Sequence, residues 1–162
     1  SFGAVDDGCH DLSPLDSGTW YHPVRPALFT ASRCVRRAFL CGEDRLTGRS
    51  FEHRRQWVED RIHGLAGIFG VSVWGYAVMS NHLHVVVQTL PEVVASWSAD
   101  AVAQRWLRLF PRQEQDSAMR AGAEVLAGNE ERIRDLRERL ADLSWFMRCL
   151  SEPIARSASK ED

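Results

Sequence analysis

Two histidines one residue apart, His82 and His84, sit in the stretch GYAVMSNHLHVVVQ, Gly75 to Gln88. The chain has only six histidines, and it places these two between the apolar runs YAVM and VVV. Side chains alternate across a β-strand, so both imidazoles project from one face, roughly 6.6 Å apart along the backbone. Leu83, Val85 and Val87 then point to the opposite face, which anchors the strand in a core. Two imidazoles held this way can each offer one nitrogen to a shared divalent cation. Such a site needs one further ligand and an open position for a phosphate oxygen. The His-x-His spacing also arises readily by chance, in which case the pair is two half-exposed rings on a sheet.

Few residues could complete a reaction beside them. Tyr21 and Tyr76 are the only tyrosines. Simple strand parity groups Tyr76 with Trp74 and Val78, which reads as sheet-face packing. Tyr21, beside His22, reaches the pair only if the N-terminal region folds over the sheet. Gln88 shares the histidines' strand face and could support a metal, or could be an exposed strand-end residue. Glu52 and His53 stand among arginines on a helix and read as surface or phosphate-contacting residues. The four cysteines, Cys9, Cys34, Cys41 and Cys149, are widely spaced without a C-x-x-C pair. They read as small apolar fillers in a reducing cytoplasm, not as a metal ribbon or a disulfide framework.

The elements that must position these groups follow from periodicity. Residues 1–24 lack it and read as a loosely ordered tail; residues 25–162 read as a single domain. ALFTASRCVRRAFLC reads as a first strand with a bend or a short second piece, and GEDRLTG as a loop. Phe51, Val58, Ile62, Leu65 and Phe69 fall at helical spacing, with Ser50 as the expected N-cap and Gly70 as the stop. VSVWGYAVM and HLHVVVQTL form a hairpin about the turn-prone pair Ser80-Asn81. Helices are expected from Pro91 to Pro111 and from about Arg112 to Ser159. Ile133, Leu136, Leu140, Leu143, Phe146, Met147 and Leu150 make the second one's apolar stripe. Strand, helix, two strands and then helices predict an α+β fold, an antiparallel sheet with helices packed on one face.

Composition sets the outer limits. Hydrophobic residues make up 44% and charged residues 26% of the 162, as in ordinary globular domains. No apolar run nears the roughly 20 residues that cross a bilayer, so no membrane partner is expected. A net charge of −2 argues against a generic nucleic-acid binder. Its distribution argues the other way, because arginine supplies all the basic residues except Lys160 and clusters between Arg25 and Arg55. Arg33, Arg36, Arg37, Arg54 and Arg55 are the candidates for phosphate contact, since the guanidinium fork matches phosphate geometry. The same cluster also fits a solvated, arginine-rich surface. Trp97, Trp106 and Trp145 could stack on unpaired bases, although their helical spacing equally fits core packing.

The run YAVMSNHLHVVV closely resembles the signature of the HUH single-tyrosine transposases, in the branch of the REP-associated tyrosine transposases. Met79, Ser80, Asn81, His82, Leu83 and His84 fit its pattern at every place. Three further segments are similar to the same branch: SRCVRRAFLCGED (Ser32–Asp44), SFEHRRQWVEDRI (Ser50–Ile62) and LSWFMRCLSEPIAR (Leu143–Arg156). The resemblance implies a ferredoxin-like (RRM-like) HUH domain with a helical C-terminal extension. It implies Mg²⁺ or Mn²⁺ on His82 and His84, and single-stranded or hairpin DNA as substrate. It also implies DNA transposition by nicking and joining through a phosphotyrosine, in a homodimer.

The nucleophile departs from the pattern. The tyrosine expected on the helix after the hairpin is replaced by Ile154, and the third metal ligand would fall near Ala158 or Ser159. The chain ends at SASKED, before the Gly-x-Phe-Trp-x-x-Arg-Phe segment of this branch, which implies truncation at the C-terminus. Two readings therefore stand: a metal-dependent single-stranded DNA endonuclease and strand transferase, and a non-catalytic DNA-hairpin-binding module that descends from one.

Overall fold

A computed structural model describes residues 2–3, 28–33, 40–110 and 116–161. The fold is α+β. Its sheet is built on the antiparallel hairpin of β3 (Val71–Val78) and β4 (His82–Thr89). The short β1 (Phe2–Gly3) pairs with β3, and β2 (Leu28–Arg33) with β4, giving the order β1-β3-β4-β2. Every neighbouring pair is antiparallel, so β2 and β3 run parallel with β4 inserted between them. The link from β2 to β3 passes through α1 (His53–Ala66).

One irregularity in the hairpin governs which residues face the core. Val73 pairs with Val87 but Gly75 pairs with Val86, so Trp74 is an extra residue, a β-bulge. A bulge shifts the alternation by one. Val71 and Val73 are buried before it, and Tyr76 and Val78 after it, while Trp74 is 61% exposed. Simple parity, which grouped Tyr76 with Trp74, is corrected here: the two rings lie on opposite faces.

Helix boundaries differ from the periodicity in ways that local chemistry explains. The first helix starts at His53, with Glu52 at the N-cap position and no side-chain cap, so Ser50 is not its cap. Ser50 instead bridges to Glu43 and accepts from the Glu52 amide at 3.5 Å. The helix ends at Ala66, with Gly67 as its C-cap, short of Gly70. Gly70 has another role. Its amide donates to Leu140 O and its carbonyl accepts from Leu90, and an added Cβ would lie 2.0 Å from Val94 Cγ2.

The expected helix from Pro91 to Pro111 is two: α2 (Pro91–Ser96) and α3 (Ala99–Arg108). Ser98 breaks it, because its Oγ caps the Ala101 amide at 3.1 Å. The long C-terminal helix is three: α4 (Asp116–Ala127), α5 (Glu130–Leu140) and α6 (Leu143–Glu161). Asn129 accepts from Arg132 N, and Asp142 Oδ1 from Trp145 N, so a short polar side chain starts α5 and another starts α6.

Pro153 lies inside α6. A proline cannot donate to the carbonyl four residues back, here that of Cys149. Arg61 Nε from α1 donates to that oxygen at 3.0 Å, which satisfies the carbonyl and ties the two helices together. The same device recurs. Arg105 Nη1 donates to Gly67 O and Ile68 O at the end of α1, and Arg137 Nη1 donates to Val94 O and Ala95 O at the end of α2.

The core joins one face of the hairpin to α1, α5 and α6. Val58, Ile62 and Leu65, Leu136 and Leu140, and Phe146 and Leu150 are buried with Val85 and Val87 in one cluster. Each such aliphatic side chain contributes about 1.5–3 kcal/mol when taken from water. No helix among the described residues is long and apolar enough to cross a membrane.

Candidate metal and nucleic-acid site

Along β4 burial alternates strictly: Leu83, Val85 and Val87 are buried, and His82, His84, Val86 and Gln88 are half-buried. Both histidines therefore stand on the face that contributes nothing to the core. Their ring centroids are 4.7 Å apart with an interplanar angle of 77°. His84 stands in register with Ala31 on β2 and Ala77 on β3, and His82 with Arg33 on β2.

Asn81 orients the first ring. It lies in the turn, with its Oδ1 hydrogen-bonded to His82 Nδ1. An amide oxygen accepts, so Nδ1 carries the proton and the lone pair is left on Nε2. Ligating histidines are commonly oriented in this way, by a hydrogen bond to the nitrogen that does not bind the metal. The donor set is two imidazole nitrogens. Among the described residues no group of three or more His, Cys, Asp or Glu could hold a metal ion. Two nitrogens would leave the remaining positions of a cation to water or to oxygen atoms of a ligand. Imidazole suits Zn²⁺, Cu²⁺, Fe²⁺ and Ni²⁺, whereas Mg²⁺ and Mn²⁺ prefer oxygen ligands, so the two rings alone do not select either of the latter.

The other expected site residues scatter. Tyr76 is 7% exposed and stands in register with Val85, on the helix-covered face. Burial first, and the charge of Glu59 second, raise its pKa, and its ring meets His63 of α1 edge-on. Its role as a nucleophile beside the histidines is therefore corrected: the sheet separates them. Ile154 is buried in α6, and so is Ala158, which has no side-chain donor. Ser159 is exposed in the last turns of the same helix. Gln88 is half-buried at the far end of β4. Tyr21, Arg36 and Arg37 lie outside the described residues, as do Cys9 and Cys34, and Arg33 is described by its register alone.

Arg54 is corrected as a phosphate contact. It is fully buried, its Nε donates to Glu161 Oε2 at 2.8 Å, and its guanidinium lies 4.2 Å from the centre of the Phe51 ring. His53 reaches the other oxygen of Glu161 at 2.7 Å. Arg55 is a quarter exposed and pairs with Glu52 at 2.6 Å, which raises its own pKa and lowers that of Glu52. Arg54 thus turns inward while Arg45 and Arg49 stay exposed, and sequence alone could not show it because Glu161 is 107 residues away from Arg54.

The tryptophans also meet protein partners. Trp106 and Trp145 pack edge-on at 5.7 Å with Arg139 above both, and Arg105 covers Trp97 at 4.0 Å. The aromatic that sequence reasoning passed over is Trp74, exposed on the histidine face. A strand tryptophan before a glycine was the available signal for a bulge. Cys41 and Cys149 are buried free thiols whose pKa burial raises, which leaves them inert.

No family model matches the chain, and neither a curated protein nor a solved structure does.

Proposed function

We propose that the chain is a transposase-like HUH domain of ferredoxin-like type, which holds single-stranded or hairpin DNA on the sheet face that carries His82 and His84. The observation behind the proposal is the pair of imidazoles 4.7 Å apart on the face opposite the core, with Asn81 orienting the first. The strand order supports the fold type, since a β-α-β crossover with an antiparallel strand inserted is the first half of a ferredoxin-like domain. A bound Mg²⁺ or Mn²⁺ supplies Lewis-acid polarisation of a phosphate oxygen. The chain's own residues do the rest. His82 and His84 hold that cation, Asn81 fixes the proton on Nδ1, and the alternation of β4 keeps both rings on one side.

A second reading has specific support: a DNA-hairpin-binding module that does not cut. Ile154 replaces the tyrosine of the resembled family, and Tyr76 faces the core. Cleavage through a phosphotyrosine then falls to Tyr21. Labelled hairpin DNA incubated with the protein and Mn²⁺, run on a denaturing gel, separates the readings. A covalent adduct lost in Tyr21→Phe establishes the enzyme. Binding without adduct, weakened by His82→Ala, establishes a metal-assisted module. Absence of DNA binding at low salt, where phosphate contacts are strongest, overturns both.

A further inference from the structure

The hairpin tip joins β3 at Val78 to β4 at His82, and several of its carbonyls accept hydrogen bonds from outside the hairpin. Three consecutive ones are held, two from the loop before α1 and one from α1 itself. Val78 O accepts from Arg55 Nη1 at 3.0 Å, Met79 O from Cys41 Sγ at 3.3 Å, and Ser80 O from Leu40 N at 2.7 Å. Within the turn, Met79 N donates to His82 O at 2.9 Å. Gly42 in the loop beside the tip has φ +93°, a backbone conformation that side-chain-bearing residues rarely adopt.

We propose that Arg55 and Cys41 are positioning residues for the His82–His84 pair, clamping the hairpin tip so that Asn81 presents His82 in one orientation. Arg55 is itself aimed by Glu52, whose Oε1 accepts from Arg55 Nε while Nη1 reaches across to Val78 O. Cys41 acts as a neutral donor. Its thiol is 1% exposed and burial raises its pKa, so it stays protonated and gives its S–H to the turn. A turn freed from these bonds samples other conformations, and the first imidazole loses its fixed relation to the second.

The metal part of the inference rests on the proposed function; the clamp itself does not. The test uses the whole chain in five variants: Arg55→Met, Arg55→Lys, Cys41→Ala, Cys41→Ser and Arg61→Met. The last is the control, because it removes an arginine–carbonyl bond from the same helix but away from the hairpin. Mn²⁺ binding by electron paramagnetic resonance, hydrogen exchange at the Met79 amide and Tm are measured for each.

Arg55→Met and Cys41→Ala are expected to weaken Mn²⁺ binding about tenfold, the low end for loss of an orienting partner. The Met79 amide exchanges faster by a similar factor, and Arg55→Lys and Cys41→Ser recover part of both losses. Arg61→Met lowers Tm alone. The inference is overturned if Arg55→Met and Cys41→Ala lower Tm while leaving Mn²⁺ affinity and Met79 protection as in Arg61→Met. A wild-type chain that binds no Mn²⁺ overturns the proposed function instead, and Met79 exchange still decides the clamp.

Discussion

The two faces of the β3–β4 hairpin are made by alternating residues of the same strands, yet they obey different rules. On the core face Leu83, Val85, Val87, Tyr76 and Val78 are all buried, and α1, α5 and α6 pack around them. On the other face His82, His84, Gln88 and Trp74 remain half-buried or exposed. A residue on the first face is there for the free energy of burial. One on the second contributes little to folding, so two adjacent imidazoles there need another explanation. The buried and the open face are separated by a single step along the chain.

Substitutions can break that separation, and the largest effects belong to the core face. Leu83→Ala, at 4% exposure, should cost about 3 kcal/mol in urea denaturation, the middle of the range for buried leucines. Gly70→Ala should follow at about 2 kcal/mol, since its Cβ would overlap Val94 and press on Leu90 O at 3.3 Å. On the open face, Trp74→Ala should change stability by no more than about 0.5 kcal/mol despite the size of the side chain removed. A large loss at Trp74 would show that this face is also a packing surface.

A smaller effect tests how the arginine segment is held. Burial works to raise the Glu161 pKa, but the hydrogen bond and charge of Arg54, with His53, outweigh it and lower the value. A carboxylate with a depressed folded pKa stabilises fully above its unfolded value, about 4.3, and the contribution fades as pH falls through the folded value. The Tm difference between wild type and Glu161→Gln should therefore be greatest near neutral pH and should close on acidification. A difference that widened at low pH would contradict the ion pair.

The hairpin, its turn and the shared face of His82 and His84 were legible from sequence, because the histidine strand alternates without interruption. So were the core positions Val58, Ile62 and Leu65, which repeat at helical spacing. Other features needed the fold. The bulge at Trp74 reverses the parity of Tyr76, and periodicity assumes no such insertion. The breaks at Ser98, Asn129 and Asp142 turn on capping bonds that compete with continued helix, a balance decided by tertiary packing. The inward turn of Arg54 depends on Glu161 at the far end of the chain, and that of Arg61 on a carbonyl left open by Pro153. An arginine's role is set by the acceptor it finds.

The central claim, that His82 and His84 together hold a divalent cation on the open face, is tested most directly by titrating the chain with Mn²⁺ and following the resonance of the free ion. Binding that is lost in His82→Ala and in His84→Ala, with Tm nearly unchanged in both, is the predicted result. Equal Mn²⁺ uptake by the wild type and both variants, or none by any, would contradict it.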